Sequence, residues 1–175
     1  RLQRQGEPRL LVIVGSSGPL TDTVRTYGVD ASTGALSFTG VDGGSAIFTP
    51  VERDRPQRIT FDGARVDAEG IDPGIDERTV LAPTGPEQHL IVDPDQADGV
   101  VTRSWSLTLP SGWSADERFG ELRIWRADEL VVAVTATYAK DQVGTTVPVE
   151  MRYDPATQQM DVSYRGDLID TVGPV

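Results

Sequence analysis

Closely spaced carboxylates followed by a glycine lie between residues 93 and 99, in the order Asp93-Pro94-Asp95-Gln96-Ala97-Asp98-Gly99. Ca²⁺ is a hard cation that takes about six to eight oxygen ligands, and an acidic loop that bends at a glycine can supply them. Asp93, Asp95 and Asp98 are therefore candidate calcium ligands. The third ligand position of a D-x-D-x-D-G pattern holds Ala97, so a solvated loop between two strands is the competing interpretation.

The three tryptophans could form a platform on which a sugar ring stacks, or they could fill the space between two sheets. Trp105 falls on the inner face of its predicted strand, whereas Trp113 follows Pro110-Ser111-Gly112 and is predicted to be exposed. Trp113 is therefore the candidate ligand-binding residue. Catalytic pairs of carboxylates cannot be selected among 27 acidic residues without their geometry.

Nucleophilic and phosphate-binding chemistry lack their sequence signatures. The chain has no cysteine and a single histidine, His89, which removes thiolate nucleophiles and leaves a serine triad only one base. The loop Gly15-Ser16-Ser17-Gly18 matches neither a phosphate-binding glycine motif nor the G-x-S-x-G elbow. His89 lies within a strand sequence and is interpreted as structural. We therefore predict no catalytic residue and no cofactor other than the candidate calcium.

The charge of the chain limits its partners. Its 16 Lys+Arg and 27 Asp+Glu give a formal net charge of −11, which repels nucleic-acid phosphates and anionic lipid headgroups. The longest apolar run, residues 10–14, is too short to cross a bilayer. We expect protein partners or self-association, with no nucleic acid and no membrane insertion.

Apolar and polar residues alternate with a period of two along most of the chain, which indicates β-strands. Residues 146–153 form the clearest strand, and Asp62-Gly63 is predicted to form the two-residue type I′ turn of a hairpin. The segments 27–38 and 153–164 each consist of a strand, a turn led by an aspartate and a second strand.

A helix is predicted only at residues 114–117, where a capping-box pattern supports one turn. The whole pattern predicts an all-β fold, a two-sheet antiparallel β-sandwich of about a dozen strands with almost no helix. Residues 1–175 are expected to form a single β-sandwich domain, and the charged stretch 51–57 is the candidate internal boundary.

The order of features from residue 71 onward resembles that of a known class of region. It passes through the turn Asp72-Pro73-Gly74-Ile75-Asp76, the segment Leu109-Pro110-Ser111-Gly112-Trp113 and the strand segment Val147-Pro148-Val149. This order resembles the β-sandwich regions near the start of large secreted or surface-anchored bacterial proteins, which precede β-propeller-type repeats or the Rhs/YD-repeat shells of polymorphic toxins. The likeness covers roughly residues 71–165. It implies a non-catalytic structural module of an exported protein, with turn and core positions but no active-site residues to carry over.

We therefore expect a non-catalytic structural or interaction module, located outside the cell or on its surface. The sequence shows no apolar segment typical of a signal-peptide core, so the expected location follows from the resemblance alone. Two alternatives stay open. One is a self-assembling subunit of a filament, shell or virion that adds residues 10–14 or 168–175 as a strand to a neighbour's sheet. The other is a carbohydrate-binding or carbohydrate-active protein that uses the tryptophans and acidic pairs.

Overall fold

The computed structural model describes residues 10–17, 24–82, 85–92, 100–140 and 146–165. These residues form fourteen strands and no helix, and their strand pairs are all antiparallel. The strands are β1 (Leu10–Ser17), β2 (Val24–Asp30), β3 (Ala35–Gly40), β4 (Ser45–Pro50), β5 (Arg58–Asp62), β6 (Arg65–Asp72), β7 (Ile75–Ala82), β8 (Gly85–Val92), β9 (Val100–Thr108), β10 (Trp113–Arg118), β11 (Glu121–Arg126), β12 (Glu129–Lys140), β13 (Thr146–Asp154) and β14 (Gln159–Arg165).

The strands form two sheets that share β13 at one corner. One sheet has the order β2-β3-β4-β9-β14-β13, and the other has the order β12-β1-β8-β7-β6-β5, with the β10–β11 hairpin added to β12. The beginning of β13 pairs with β12, and the rest of β13 pairs with β14. The predicted all-β sandwich is confirmed, with fourteen strands in the described residues instead of about a dozen.

The inner faces of the two sheets enclose one apolar core. Phe38 and Phe48 on neighbouring strands pack edge to face with ring centroids 6.0 Å apart. Leu107, Leu122 and Met160 are among the largest side chains that are fully buried. Burial alternates residue by residue along β3 and β11, as the period of two in the sequence requires.

The β5–β6 hairpin forms where it was predicted, but its turn is shifted by one residue. Asp62 pairs with Arg65, so the two loop residues are Gly63 and Ala64. Gly63 has a φ of 57°, and Ala64 is not among the residues with positive φ. A glycine with positive φ at the first loop position is the type II′ arrangement, so the predicted Asp62-Gly63 turn of type I′ is wrong.

The two turns led by aspartates share one geometry, as the sequence predicts. Asp30 Oδ1 accepts a hydrogen bond from the backbone N of Ser32, and Asp154 Oδ1 accepts one from the backbone N of Ala156, each at 2.9 Å. The last loop residue adopts a left-handed conformation in both cases, with φ of 74° at Gly34 and 54° at Gln158.

The helical turn predicted at residues 114–117 is wrong, because these residues lie in β10. Asp116 pairs with Arg123 of β11, and its Oδ1 accepts a hydrogen bond from Trp125 Nε1 at 2.7 Å. Glu117 Oε2 accepts one from the backbone N of Tyr153 at 3.0 Å. Both acidic side chains thus bind groups on other strands, β11 and β13, and not the backbone of a helical turn.

The charged stretch 51–57 crosses from β9 of the first sheet to β6 of the second. The backbone N of Val51 donates to Ser104 O, and the backbone N of Asp54 donates to Ile71 O at 2.7 Å. Gln57 donates in the same way to Glu69 O. Among the described residues, no helix has the length and apolar character needed to cross a membrane.

Candidate functional site

A groove of about 880 Å³ opens where β13 leaves β12. The first half of β12 pairs with β11, and the end of β12 pairs on the same side with residues 146–148 of β13. This second ladder ends at Pro148, which has no N–H to donate. Because β13 then continues along β14, a gap remains between β13 and the β10–β11 hairpin. We call this gap the fork groove.

Apolar side chains line much of the fork groove. Phe119 stands at the tip of the β10–β11 hairpin and is 96% exposed, and Val100 at the start of β9 is 66% exposed. Pro148, Val149 and Met151 line the β13 side. Isolated exposed apolar residues are ordinary on protein surfaces, but apolar residues grouped along a concave groove indicate a binding surface.

The backbone at Phe119 is in a conformation that L-residues avoid. Phe119 and Gly120 have φ of 53° and 74° and form the two-residue turn between Arg118 and Glu121. Positive φ at both loop positions defines a type I′ turn, in which Asn-Gly is the favoured pair. A left-handed conformation costs a bulky residue about 1–2 kcal/mol. The fold therefore displays this phenyl ring at the expense of stability.

Charged groups on the fork groove are mostly acidic. Glu117, Glu121 and Glu150 line it together with one cation, Arg152. The Arg152 guanidinium binds the carboxylate of Glu150 and lies 4.0 Å from Glu117 Oε1. Glu121 also binds the Arg123 guanidinium, whose Nη2 lies 3.3 Å from Glu121 Oε2. Three carboxylates against two guanidinium groups leave one excess negative charge, in the same sense as the whole chain.

One edge of the β13 backbone faces the fork groove beyond Pro148. The N–H of Tyr153 points away from β14, since it donates to Glu117 on β10. Alternate residues of a strand direct their N–H and C=O groups to the same side. Met151 and Val149 therefore present their backbone groups toward the fork groove, where an extended segment could pair with them.

Tyr164 lies at the inner wall of the fork groove. Its ring is buried, and its hydroxyl has no hydrogen-bond partner among the described residues. Burial raises the pKa of Tyr164 to about 12, against a smaller lowering by the nearby Arg103 guanidinium. The phenol is therefore neutral at physiological pH.

A second polar cluster, the Arg53 network, is buried between the two sheets. Arg53 Nη2 lies 3.0 Å from Glu77 Oε1, and both side chains are only 4% exposed. Arg53 Nη1 also donates to Ser32 O at 2.8 Å, at the tip of the β2–β3 hairpin. Burial raises the pKa of Glu77 more than the Arg53 cation lowers it.

The Arg53 network continues through two more side chains. Gln88 Nε2 donates to Gly34 O at 3.1 Å, and Gln88 Oε1 accepts from Trp105 Nε1 at 2.9 Å. These bonds connect β8 of one sheet to β9 and the β2–β3 hairpin of the other. A cavity of about 20 Å³ beside Arg53 has room for one water molecule. The Arg53 network therefore serves to hold the sheets together.

The predicted calcium site falls in a part of the chain that the structure does not describe. Asp93, Asp95 and Asp98, the candidate calcium ligands, lie outside the described residues. Within the part of the chain that the structure describes, no three His, Asp or Glu side chains cluster as a metal site would require. His89, interpreted as structural, lies in β8 with its Nε2 3.2 Å from Glu87 Oε2.

The prediction that Trp113 is exposed is wrong. Trp113 is 9% exposed and belongs to the apolar core. Gly112, with a φ of 82°, turns the chain so that Trp113 begins β10. Its ring then packs against Gly40, where a Cβ atom would lie 2.9 Å from Trp113 Cζ2. Trp105 is buried as predicted.

Of the two segments expected to pair with a neighbouring molecule, residues 10–14 and 168–175, the structure describes the first. Residues 10–14 lie in β1, which pairs with β12 on one side and with β8 on the other. Neither edge of these residues is open in the described fold. Residues 168–175 lie outside the described residues.

Sequence reasoning missed the fork groove. One signal was available, since Pro148 interrupts the donors of an otherwise regular strand. The exposure of Phe119 depends on a turn that no local rule assigns to Phe-Gly. Comparisons of the chain with protein-family models, curated protein sequences and solved structures find no significant match.

Proposed function

We propose that this protein is a non-catalytic interaction module that binds an extended segment of another protein in the fork groove. The observation that carries this proposal is Phe119, which is almost fully exposed and held in a left-handed conformation at the mouth of the groove. Strain of this kind persists where the surrounding structure imposes it, and it is concentrated at binding sites.

An extended segment fits the fork groove better than a compact ligand does. The outward N–H and C=O groups of Met151 and Val149 can pair with a strand laid beside β13. Phe119, Val100 and Pro148 supply apolar contacts for alternate side chains. The excess of carboxylates along the groove favours a segment that carries Lys or Arg.

A peptide-display selection tests the proposal directly. A random peptide library is selected against the protein and counter-selected against Phe119→Asn, which suits the same turn but removes the ring. We expect enriched peptides with alternating basic and apolar residues, whose Kd rises at least about tenfold in Phe119→Asn. Val41→Asn is the control, because Val41 is also an exposed apolar residue of a hairpin turn but lies between β3 and β4, outside the lining of the fork groove. Equal binding to wild type and Phe119→Asn would exclude the fork groove.

The absence of catalysis is tested on the same peptides. After prolonged incubation with the protein, each peptide should be recovered with unchanged mass. A cleaved or modified peptide would show an enzyme and would contradict this part of the proposal.

The carbohydrate alternative gains no specific support. Trp105 and Trp113 are buried, and their indole N–H groups donate to Gln88 and Asp42. The Trp125 N–H donates to Asp116. We therefore expect soluble glycans to leave the tryptophan emission unchanged, and a saturable shift would revive this alternative.

We infer a location outside the cell or on its surface from the resemblance of residues 71–165 to modules of exported bacterial proteins. Antibody labelling of intact source cells, compared with labelling of permeabilised cells, tests this inference. Labelling only after permeabilisation would contradict it.

A further inference from the structure

The edge strand β5 has a sequence that is complementary to itself. Its residues run Arg58-Ile59-Thr60-Phe61-Asp62, which is a cation, an apolar residue, a polar residue, an apolar residue and an anion. β5 lies at one end of the second sheet and pairs only with β6 among the described residues. Phe61 is 69% exposed on it.

We propose that β5 pairs antiparallel with β5 of a second copy, about a twofold axis at Thr60. This register places Arg58 opposite Asp62 of the second copy, and Ile59 opposite its Phe61. The twofold symmetry forms each of these two pairs twice. A shift of the register by two residues places neither charge opposite the other, so the charges select this register.

The backbone direction of β5 agrees with this pairing. The two-residue loop of the β5–β6 hairpin makes Asp62 and Arg65 a hydrogen-bonded pair. By the alternation along the strand, the N–H and C=O groups of Thr60 also point toward β6. Those of Ile59 and Phe61 point the other way, toward the edge of the sheet. In the proposed register Ile59 lies opposite Phe61 of the second copy, and such a pair exchanges both N–H···O bonds.

Four of the five side chains of β5 are exposed, and Ile59 is half-buried. The Asp62 side chain is 75% exposed, and among the described residues it forms a 3.4 Å ion pair with the exposed Arg65. Exposed ion pairs of this kind are held loosely, so Asp62 can turn to a second Arg58. The interface lies on a different strand from the fork groove, so this inference stands apart from the proposed function.

The mass of the particle in solution gives the first test. Light scattering on size exclusion over micromolar to millimolar concentrations should show the mass rising from 18.9 kDa toward twice that value. The backbone amides of Ile59 and Phe61 should gain protection from hydrogen exchange over the same range. A mass that stays at 18.9 kDa at the highest concentration would overturn the proposal.

Charge reversal tests the register. Arg58→Asp places two carboxylates opposite each other at both ends of the pairing, and Asp62→Arg does the same with two guanidinium groups. We expect each variant to dimerise at least tenfold more weakly. Asp128→Arg is the matched control, since Asp128 is exposed in the β11–β12 turn and should leave dimerisation unchanged.

Mixing the two variants separates the proposed register from misfolding. An Arg58→Asp chain opposite an Asp62→Arg chain restores both opposite-charge pairs, so the mixture should form a one-to-one heterodimer. Dimers that persist in either variant alone, or a mixture that stays monomeric, would refute the register.

Discussion

Replacing Arg53 by methionine would leave Glu77 buried without its cation. Both side chains are 4% exposed, and Arg53 Nη2 lies 3.0 Å from Glu77 Oε1. Methionine keeps an unbranched side chain in the space but cannot donate to Glu77 or to Ser32 O. Removing one partner of a buried ion pair costs about 3–5 kcal/mol, because the other charge stays uncompensated. We expect a loss of this size in the free energy of unfolding at neutral pH.

The loss should depend on pH in a defined direction. Burial raises the pKa of Glu77 above its ordinary value of 4.5. The folded state therefore binds this proton more tightly than the unfolded state does, and the stabilisation is fully present below the unfolded pKa. It is lost as pH rises through the folded pKa. Without the Arg53 cation the folded pKa rises further, so Arg53→Met should lose stability steadily from acid to neutral pH.

Urea denaturation followed by tryptophan fluorescence measures this effect between about pH 4 and pH 8. The double variant Arg53→Met/Glu77→Gln carries no charge at either position, so it should recover most of the lost stability at neutral pH and lack the Glu77 slope. An Arg53→Met profile that runs parallel to the wild type would refute the reasoning. A double variant no more stable than Arg53→Met at neutral pH would refute it too.

Three further perturbations test other features of the fold. Phe119→Asn should raise the free energy of unfolding, measured by urea denaturation, by about 1 kcal/mol, since Asn tolerates the left-handed turn position. A decrease would show that the backbone at this position is not strained. Gly34→Ala should lower the thermal midpoint more than Gly43→Ala does. Both glycines have positive φ, but only a Cβ at Gly34 would lie 2.8 Å from Arg53 Nε. Equal losses would contradict the close contact. Tyr164→Phe should change stability little at neutral pH, because the buried hydroxyl lacks a partner among the described residues. The wild type should lose stability between pH 10.0 and about 12 as Tyr164 ionises, and urea denaturation should show a smaller loss for Tyr164→Phe, in which Tyr153 still has a raised pKa.

Local patterns in the sequence are enough to predict the fold class. The period of two along residues 146–153 and the aspartates that lead the turns at Asp30 and Asp154 act over a few residues. Strand formation and turn geometry depend on such neighbours, so these predictions survive without a structure. The shifted turn at Gly63 shows the limit of this reasoning, since two local solutions differ there by one residue.

Only the tertiary structure decided where the candidate binding surface lies. Trp113 is buried because Gly40, distant in the chain, leaves space for its ring, and Glu77 meets an arginine that lies 24 residues away. The fork groove exists because β13 exchanges one neighbour for another at Pro148. These features depend on contacts between segments that are distant in the sequence, and local sequence patterns do not specify such contacts. The sequence alone determined the alternation that builds the sheets, and long-range packing determined which residues those sheets expose.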